Sequence, residues 1–184
     1  MGSICGWSGT GLGSDMSQQA IKAMLKKHGA NANAESDSSY DDSGALGIGK
    51  GIYAASFLFQ DGIRVAIVGT PTWSDQELSV TAEKQGACAA LIKAWQAFGK
   101  DLLEKLHGPF ALAVQDGDEA LIAIDRIGIH SLSYTLQDGI FVFSSSIGSV
   151  ARHPRVKRSI DPQAIFNYIY FYDIPAPGTI FAGV

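Results

Sequence analysis

Residues 106–154, LHGPFALAVQDGDEALIAIDRIGIHSLSYTLQDGIFVFSSSIGSVARHP, decide the fold. Apolar runs rich in Val, Ile, Phe and Tyr alternate here with polar turns, which suits strands on a mostly buried, pleated surface. The run 110–114 is followed by Asp116-Gly117-Asp118, and the run 121–124 by Asp125-Arg126-Ile127-Gly128-Ile129. A short run ends at Tyr134, and Gln137-Asp138-Gly139 leads into the run 140–143. Two apolar runs around a Gly-containing polar turn are a strong hairpin signal. The spacing predicts a four-stranded antiparallel meander closed by a short helix over 147–152.

The same rules extend outward. Residues 3–7 read as an N-terminal strand, and the glycines at 9, 11 and 13 as a turn, since no phosphate-loop lysine follows them. A helix capped by Asp15 or Ser17 is expected to run to about His28, with Ile21, Met24 and Leu25 on one face. The polar stretch about 30–45 reads as a mobile loop, and its Asp37, Asp41 and Asp42 lack calcium-loop spacing. The runs 48–59 and 63–68 flank Gln60-Asp61-Gly62 as a hairpin. Cys88, Leu91, Ile92, Trp95 and Phe98 give a helix over 81–98. A short helix is expected over 100–106. Asp161 caps a last helix with Pro162 in its first turn and Ile165, Phe166 and Ile169 on one face. Residues 172–184 form a proline-rich exit. The pattern is α+β.

Composition narrows the function classes. A chain of 184 residues is one domain by default and can bury a sizeable core. The net charge of −4 argues against a dedicated nucleic-acid surface. Cys5 and Cys88 are the only cysteines, too few for a disulfide framework, and a reducing cytoplasmic home is expected. No apolar run is long enough for a membrane-spanning helix, and no signal-peptide pattern opens the chain. His28, His107, His130 and His153 have no metal-ligand spacing.

The motifs then resemble those of the class II glutamine amidotransferase domain that begins asparagine synthetases. Leu106, Gly108, Phe110, Ala111, Ala113 and Asp116 match its first strand block. Asp125, Arg126, Gly128, Leu132 and Tyr134 match its D-R-x-G loop, and Phe143-Ser144-Ser145 the block after it. Ser159-Ile160-Asp161, Tyr172, Pro175-Ala176-Pro177, Thr179-Ile180-Phe181 and Gly183-Val184 match the tail. The match is strong over 106–184 and weaker, though collinear, over 1–105. The resemblance implies the four-layer αββα sandwich of N-terminal-nucleophile hydrolases. It implies one domain over 1–184 at the front of a longer protein. ATP and magnesium would belong to a following synthetase domain, the domain's partner, with a homodimer as a further assembly. β-Lactam synthetases and lasso-peptide cyclases look similar.

The resemblance also locates a glutaminase site, and there the residues depart from the family. The family nucleophile is a cysteine in the second position, using its own α-amino group as base. That position is Gly2. Cys5 is the fallback nucleophile, after cleavage before it. It lies three residues along a strand from Gly2 and should therefore face the other way. The oxyanion-hole asparagine and glycine align with Gly69 and Thr70. The aspartate that binds the substrate ammonium falls on Ala87, with Glu83 nearby. The strand expected to carry the carboxylate-binding arginine has none, and Arg64 lies one strand later. Asp125 and Arg126 are expected as a buried structural pair. The expectation is a persisting fold whose glutaminase site has decayed. The alternatives are an active amidotransferase using Cys5 and a free-standing interaction module.

Overall fold

The computed structural model describes residues 2–9, 11–26, 36–51 and 53–184. Two antiparallel sheets face each other across an apolar core. The first holds β1 (Ser3–Ser8), β2 (Ser36–Asp41), β3 (Gly44–Gly49), β10 (Ser133–Gln137) and β11 (Ile140–Ser144), in the order β10-β11-β1-β3-β2. The second holds β4 (Ala55–Gln60), β5 (Ile63–Gly69), β8 (Phe110–Asp116) and β9 (Glu119–Ile124), in the order β4-β5-β8-β9. A small ribbon pairs β6 (Thr72–Trp73) with β7 (Leu106–His107).

Period-two alternation along the strands builds the layers. Along β1, Ile4 turns inward to Leu46, Ile48, Ala66, Val68, Ala111, Ala113 and Phe143, which fill the space between the sheets. Cys5 and Trp7 turn outward and pack under α1 (Ser14–Leu25) with Ile21 and Met24. The outer face of the second sheet buries Val65, Ile67, Leu112 and Val114 against Leu91, Ile92 and Ala94 of α3 (Ala87–Phe98). The result is the αββα sandwich. Each fully buried Leu, Ile or Phe contributes roughly 1.5–3 kcal/mol, and that drive fixes which face of each strand turns inward. Gly6 is required by space: a Cβ there would stand 2.5 Å from the Ala45 carbonyl and 2.8 Å from the Phe143 ring.

Several sequence expectations change. The four-stranded meander is two hairpins in different sheets: β8–β9 in one and β10–β11 in the other, with residues 125–132 crossing between them. β11 pairs with β1 instead of continuing from β9. The run 48–59 likewise divides between β3 and β4, in opposite sheets. The helix over 81–98 is two helices, α2 (Gln76–Gln85) and α3, because Gly86 takes φ 94 and breaks the ladder. Asp75 caps α2, its carboxylate accepting from the Glu77 and Leu78 N–H groups. A 3-10 turn, Gly99–Lys105, follows α3. Neither Asp15 nor Ser17 caps α1: Gly13 stands at its N-cap without a side-chain bond.

Part of the expected loop about 30–45 is ordered as well. Ser36–Asp41 is an edge strand, closed onto β3 by a turn in which Asp41 accepts from the Ser43 and Gly44 N–H groups at 2.8 and 3.2 Å. Residues 27–35 lie outside the described residues. The tail agrees with its reading: Asp161 accepts from the Gln163 N–H at 2.9 Å and opens α5 (Pro162–Phe171). α5 nevertheless buries only Ala164 and leaves Phe166, Ile169, Tyr170 and Phe171 exposed. The short helix after β11 is α4 (Ile147–Val150). Among the described residues no helix is long and apolar enough to cross a membrane.

Candidate functional site

Where β1 begins, the chain borders a cleft of about 660 Å³. Gly2, Ser3 at the start of β1, residues at the end of α1, Tyr53, Ile129, His130 and Ser131 of the crossing loop, Ser133 at the start of β10, and residues 145–149 around α4 form its walls. Gly2 is buried, and a Cβ added there would meet the Tyr53 carbonyl at 2.9 Å, Ala55 at 3.3 Å and Val68 at 3.5 Å. The position offers no nucleophile and little room for one.

Cys5 is elsewhere. It is 2% exposed, lies in the layer under α1, and pairs with Gly47 and Ser144 in the sheet. Burial pushes its thiol up to about 12, so the thiolate is scarce near neutrality. Cys88 is buried in the opposite outer layer, and burial pushes its thiol to about 12 as well.

The two positions that the resemblance aligns with an oxyanion hole, Gly69 and Thr70, lie at the end of β5. Their N–H groups are already used. Gly69 donates to the Ala54 carbonyl at 2.9 Å and Thr70 to the Pro109 carbonyl at 3.0 Å. Gly69 takes φ 109, and a Cβ there would stand 2.3 Å from the Pro109 carbonyl and 2.9 Å from His130 Nε2. The imidazole of His130 thus borders the space that a side chain at 69 would claim. Its ring meets Tyr53 edge-on at 5.1 Å between centroids. Sequence reasoning gave His130 no role beyond its lack of metal-ligand spacing. The available signal was its place five residues after Asp125, at the far end of the D-R-x-G loop.

The substrate-clamp positions do not assemble. Ala87 begins α3 and packs, half-buried, on the outer core, and Glu83 is exposed on α2; neither lines the cleft. Arg64 sits five residues before Gly69, roughly 17 Å along β5. Its guanidinium pairs with Asp41, donates to Ser39 Oγ at 3.2 Å, and lies 5.3 Å from the Phe59 ring. Among the described residues the cations that border the cleft are Lys26 and Arg152.

Asp125 forms a different kind of centre beside the cleft. Its carboxylate accepts from the N–H groups of Ile127, Gly128 and Ile129 at 3.1, 2.9 and 3.2 Å, and of His130 at 3.3 Å. Burial alone would raise its pKa, but the Ile129, His130 and Ile127 N–H groups outweigh that and hold it below the usual carboxylate value. The expected buried pair with Arg126 does not form. Arg126 is exposed, and backbone amides take its place around the carboxylate. This clamp fixes the crossing loop and so sets His130 at Gly69. Among the described residues no group of His, Cys, Asp and Glu could hold a metal ion.

A family model for a glutamine amidotransferase domain matches residues 72–184. The chain is 30% identical over 105 residues to the glutamine-hydrolysing asparagine synthetase 3 of Bacillus subtilis strain 168, covering 55% of this chain and 17% of that protein. Two solved structures share the fold. One is the glutamine phosphoribosylpyrophosphate amidotransferase of B. subtilis complexed with ADP and GMP, with TM-score 0.53 and 16% identity over 87% of this chain and 45% of that one. The other, described as the allosteric regulatory enzyme of purine biosynthesis, gives TM-score 0.54 and 14% identity over the same shares of the two chains. The chain therefore spans about a sixth of the length of the curated relative it matches.

Proposed function

We propose, for a chain that belongs to the glutamine amidotransferase domain family, that this domain no longer hydrolyses glutamine and serves as the structural partner of an ATP-dependent amide-forming domain. The observation that carries the reading is Gly2. At the cleft end of β1 the family's attacking thiol is replaced by a glycine whose missing side chain leaves space already bounded by Tyr53, Ala55 and Val68. Without a nucleophile the covalent route is closed. The Gly69 and Thr70 amides are bonded to the scaffold, and loss of even one oxyanion donor typically costs about 100- to 1,000-fold in rate.

The partner role rests on α5 and on length. Ile169 and Tyr170 are 71% and 70% exposed, and stacking of Phe166 on Tyr170 extends a continuous apolar face. The asparagine synthetase relative is about six times longer than its matched share. An amide-forming domain with an apolar docking face fits α5, and magnesium and ATP would bind that domain.

Ammonia release from glutamine tests the proposal. The expected rate equals the buffer blank, and Cys5→Ala leaves it unchanged. Release that disappears in Cys5→Ala would make this a working amidase.

A further inference from the structure

Another hollow, of about 580 Å³, opens beside the crossing loop. Its size lies within the roughly 300–1,000 Å³ typical of small-molecule sites. The end of the 3-10 turn, β7, the start of β8 and the loop from Ile124 onward wall it. Leu106 and Phe110 give it a buried apolar floor. Ile127 lines it while standing 85% exposed. That isoleucine is held out to water by the backbone that carries it. The Ile127, Gly128 and Ile129 N–H groups are fixed on the Asp125 carboxylate. An apolar surface is therefore held open in advance, which lowers the ordering cost a ligand would meet.

Four polar side chains border this surface: Glu104, His107, Asp125 and Arg126. The Asp125 carboxylate already accepts four backbone amides and has little left for a ligand. Glu104 and Arg126 differ. Both are exposed, and among the described residues neither forms an ion pair or a hydrogen bond, with each other or with any other group. One carboxylate and one guanidinium thus stand unengaged around an apolar floor. An apolar acid would answer Arg126 and be opposed by Glu104, and an apolar amine the reverse. A frame carrying both charges answers both. Its carboxylate would accept two parallel N–H bonds from the guanidinium, and its ammonium would donate to Glu104. His107, exposed on β7, offers a ring nitrogen to either end.

We propose that this hollow binds a free α-amino acid with a large apolar side chain. The site is separate from the Gly2 cleft, with which it shares only Ile129 among the described residues, and so it does not depend on the glutaminase reading.

The test is an NMR titration of the full chain, read at the amide signals of Ile127 and His107. The probes are phenylalanine, 3-phenylpropanoate, which lacks the ammonium, 2-phenylethylamine, which lacks the carboxylate, and glutamine, which lacks the apolar side chain. Phenylalanine saturates with a Kd below about 1 mM, and each phenyl analogue binds about ten-fold more weakly, the effect of one charge-assisted hydrogen bond. Glutamine gives no saturable shift at these two amides. Arg126→Gln weakens phenylalanine about ten-fold and leaves 2-phenylethylamine no weaker. Glu104→Gln weakens phenylalanine equally and leaves 3-phenylpropanoate no weaker. Both side chains are exposed and unbonded, so both variants keep the wild-type melting temperature. Lys84→Gln, on α2, leaves every affinity unchanged. Equal affinity for the three phenyl ligands would mean apolar adhesion alone and would overturn the site. So would the absence of a saturable shift with phenylalanine, glutamine matching phenylalanine at Ile127, or charge variants that bind phenylalanine as the wild type does. Glutamine shifts confined to the Gly2 cleft, with ammonia release, would overturn the glutaminase reading and leave this site standing.

Discussion

Two strand ends flank Phe110 in the second sheet, and they are built in opposite ways. On one side Asp125, whose N–H donates to the Phe110 carbonyl, gathers four backbone amides around its carboxylate. On the other side Gly69, opposite Phe110 in the β5–β8 register, has its N–H bonded to Ala54 and no side chain at all. The Asp125 side matches the family motif, and the Gly69 side does not. The difference teaches that the residues that shape this loop and those that would perform the chemistry are separable. A buried carboxylate accepting several amides is costly to lose, because every amide becomes an orphan. The Gly69 position has no such hold on the fold, since its N–H is bonded to the Ala54 carbonyl and it carries no side chain.

The strongest challenge to that contrast is Asp125→Ala. Four N–H groups lose their acceptor, and the melting temperature is expected to fall by about 10 °C. The pH dependence follows from the lowered pKa. The carboxylate's contribution is complete above its unfolded value near pH 4, and fades as the pH falls through the lower folded value. Thermal melts of wild type and variant between pH 7 and pH 2 check both points: the gap between them should be widest near neutrality and close in acid. A fall of less than about 3 °C at pH 7 would remove the contrast.

Next in size is Gly69→Asn, which introduces the side chain that the sequence resemblance expects at this position. The new Cβ meets the Pro109 carbonyl and His130 at a positive φ that side chains rarely adopt. Expected destabilisation is about 3 kcal/mol, with no gain of glutaminase activity. Urea unfolding and ammonia release measure the two halves. A stable Gly69→Asn protein would show that the end of β5 has room for a side chain after all.

His153 provides a milder probe, away from both ends. It is fully buried against Trp7, with ring centroids 5.0 Å apart, and its Nε2 has no partner among the described residues. Burial, with a smaller push from Arg155, lowers its pKa to about 4. The unfolded chain, near 6.5, binds the proton first, so stability is lost as the pH falls from about 6.5 to 4 and is regained as it rises. About 2 kcal/mol is expected over that window, allowing for solvent screening. His153→Leu should flatten this part of the profile. An unchanged slope in the variant would assign the acid loss to the carboxylates instead.

How much of this contrast could be read from the sequence follows from the range of the interactions. Asp161 with Pro162, and the Asp61-Gly62 turn between β4 and β5, are local and were legible. The resemblance supplied the sandwich, since no local signal says which sheet a strand joins. Residues 125–132 look like any hairpin loop, yet they carry the chain from one sheet to the other. β2 was hidden because SDSSYD has no apolar alternation, and its pairing depends on β3. At the site, the missing side chains at 2 and 69 were plain in the text. The approach of His130 to Gly69 was not, because it depends on a contact across 61 positions in the chain.

The smallest effect belongs to the residue next to the largest. Arg126 adjoins Asp125 in the same motif, and a charged pair was the natural expectation from sequence. The side chain is instead exposed at the rim of a second hollow of about 580 Å³, while the carboxylate is occupied by amides. Arg126→Ala removes a solvated charge and leaves each of those bonds in place. A change within about 0.5 kcal/mol is expected, as for most surface substitutions. The double variant with Asp125→Ala should then be as unstable as Asp125→Ala alone, with a coupling energy near zero. A coupling above about 1 kcal/mol would show that the arginine does reach the carboxylate, and the loop would be held by an ion pair as well as by its own backbone.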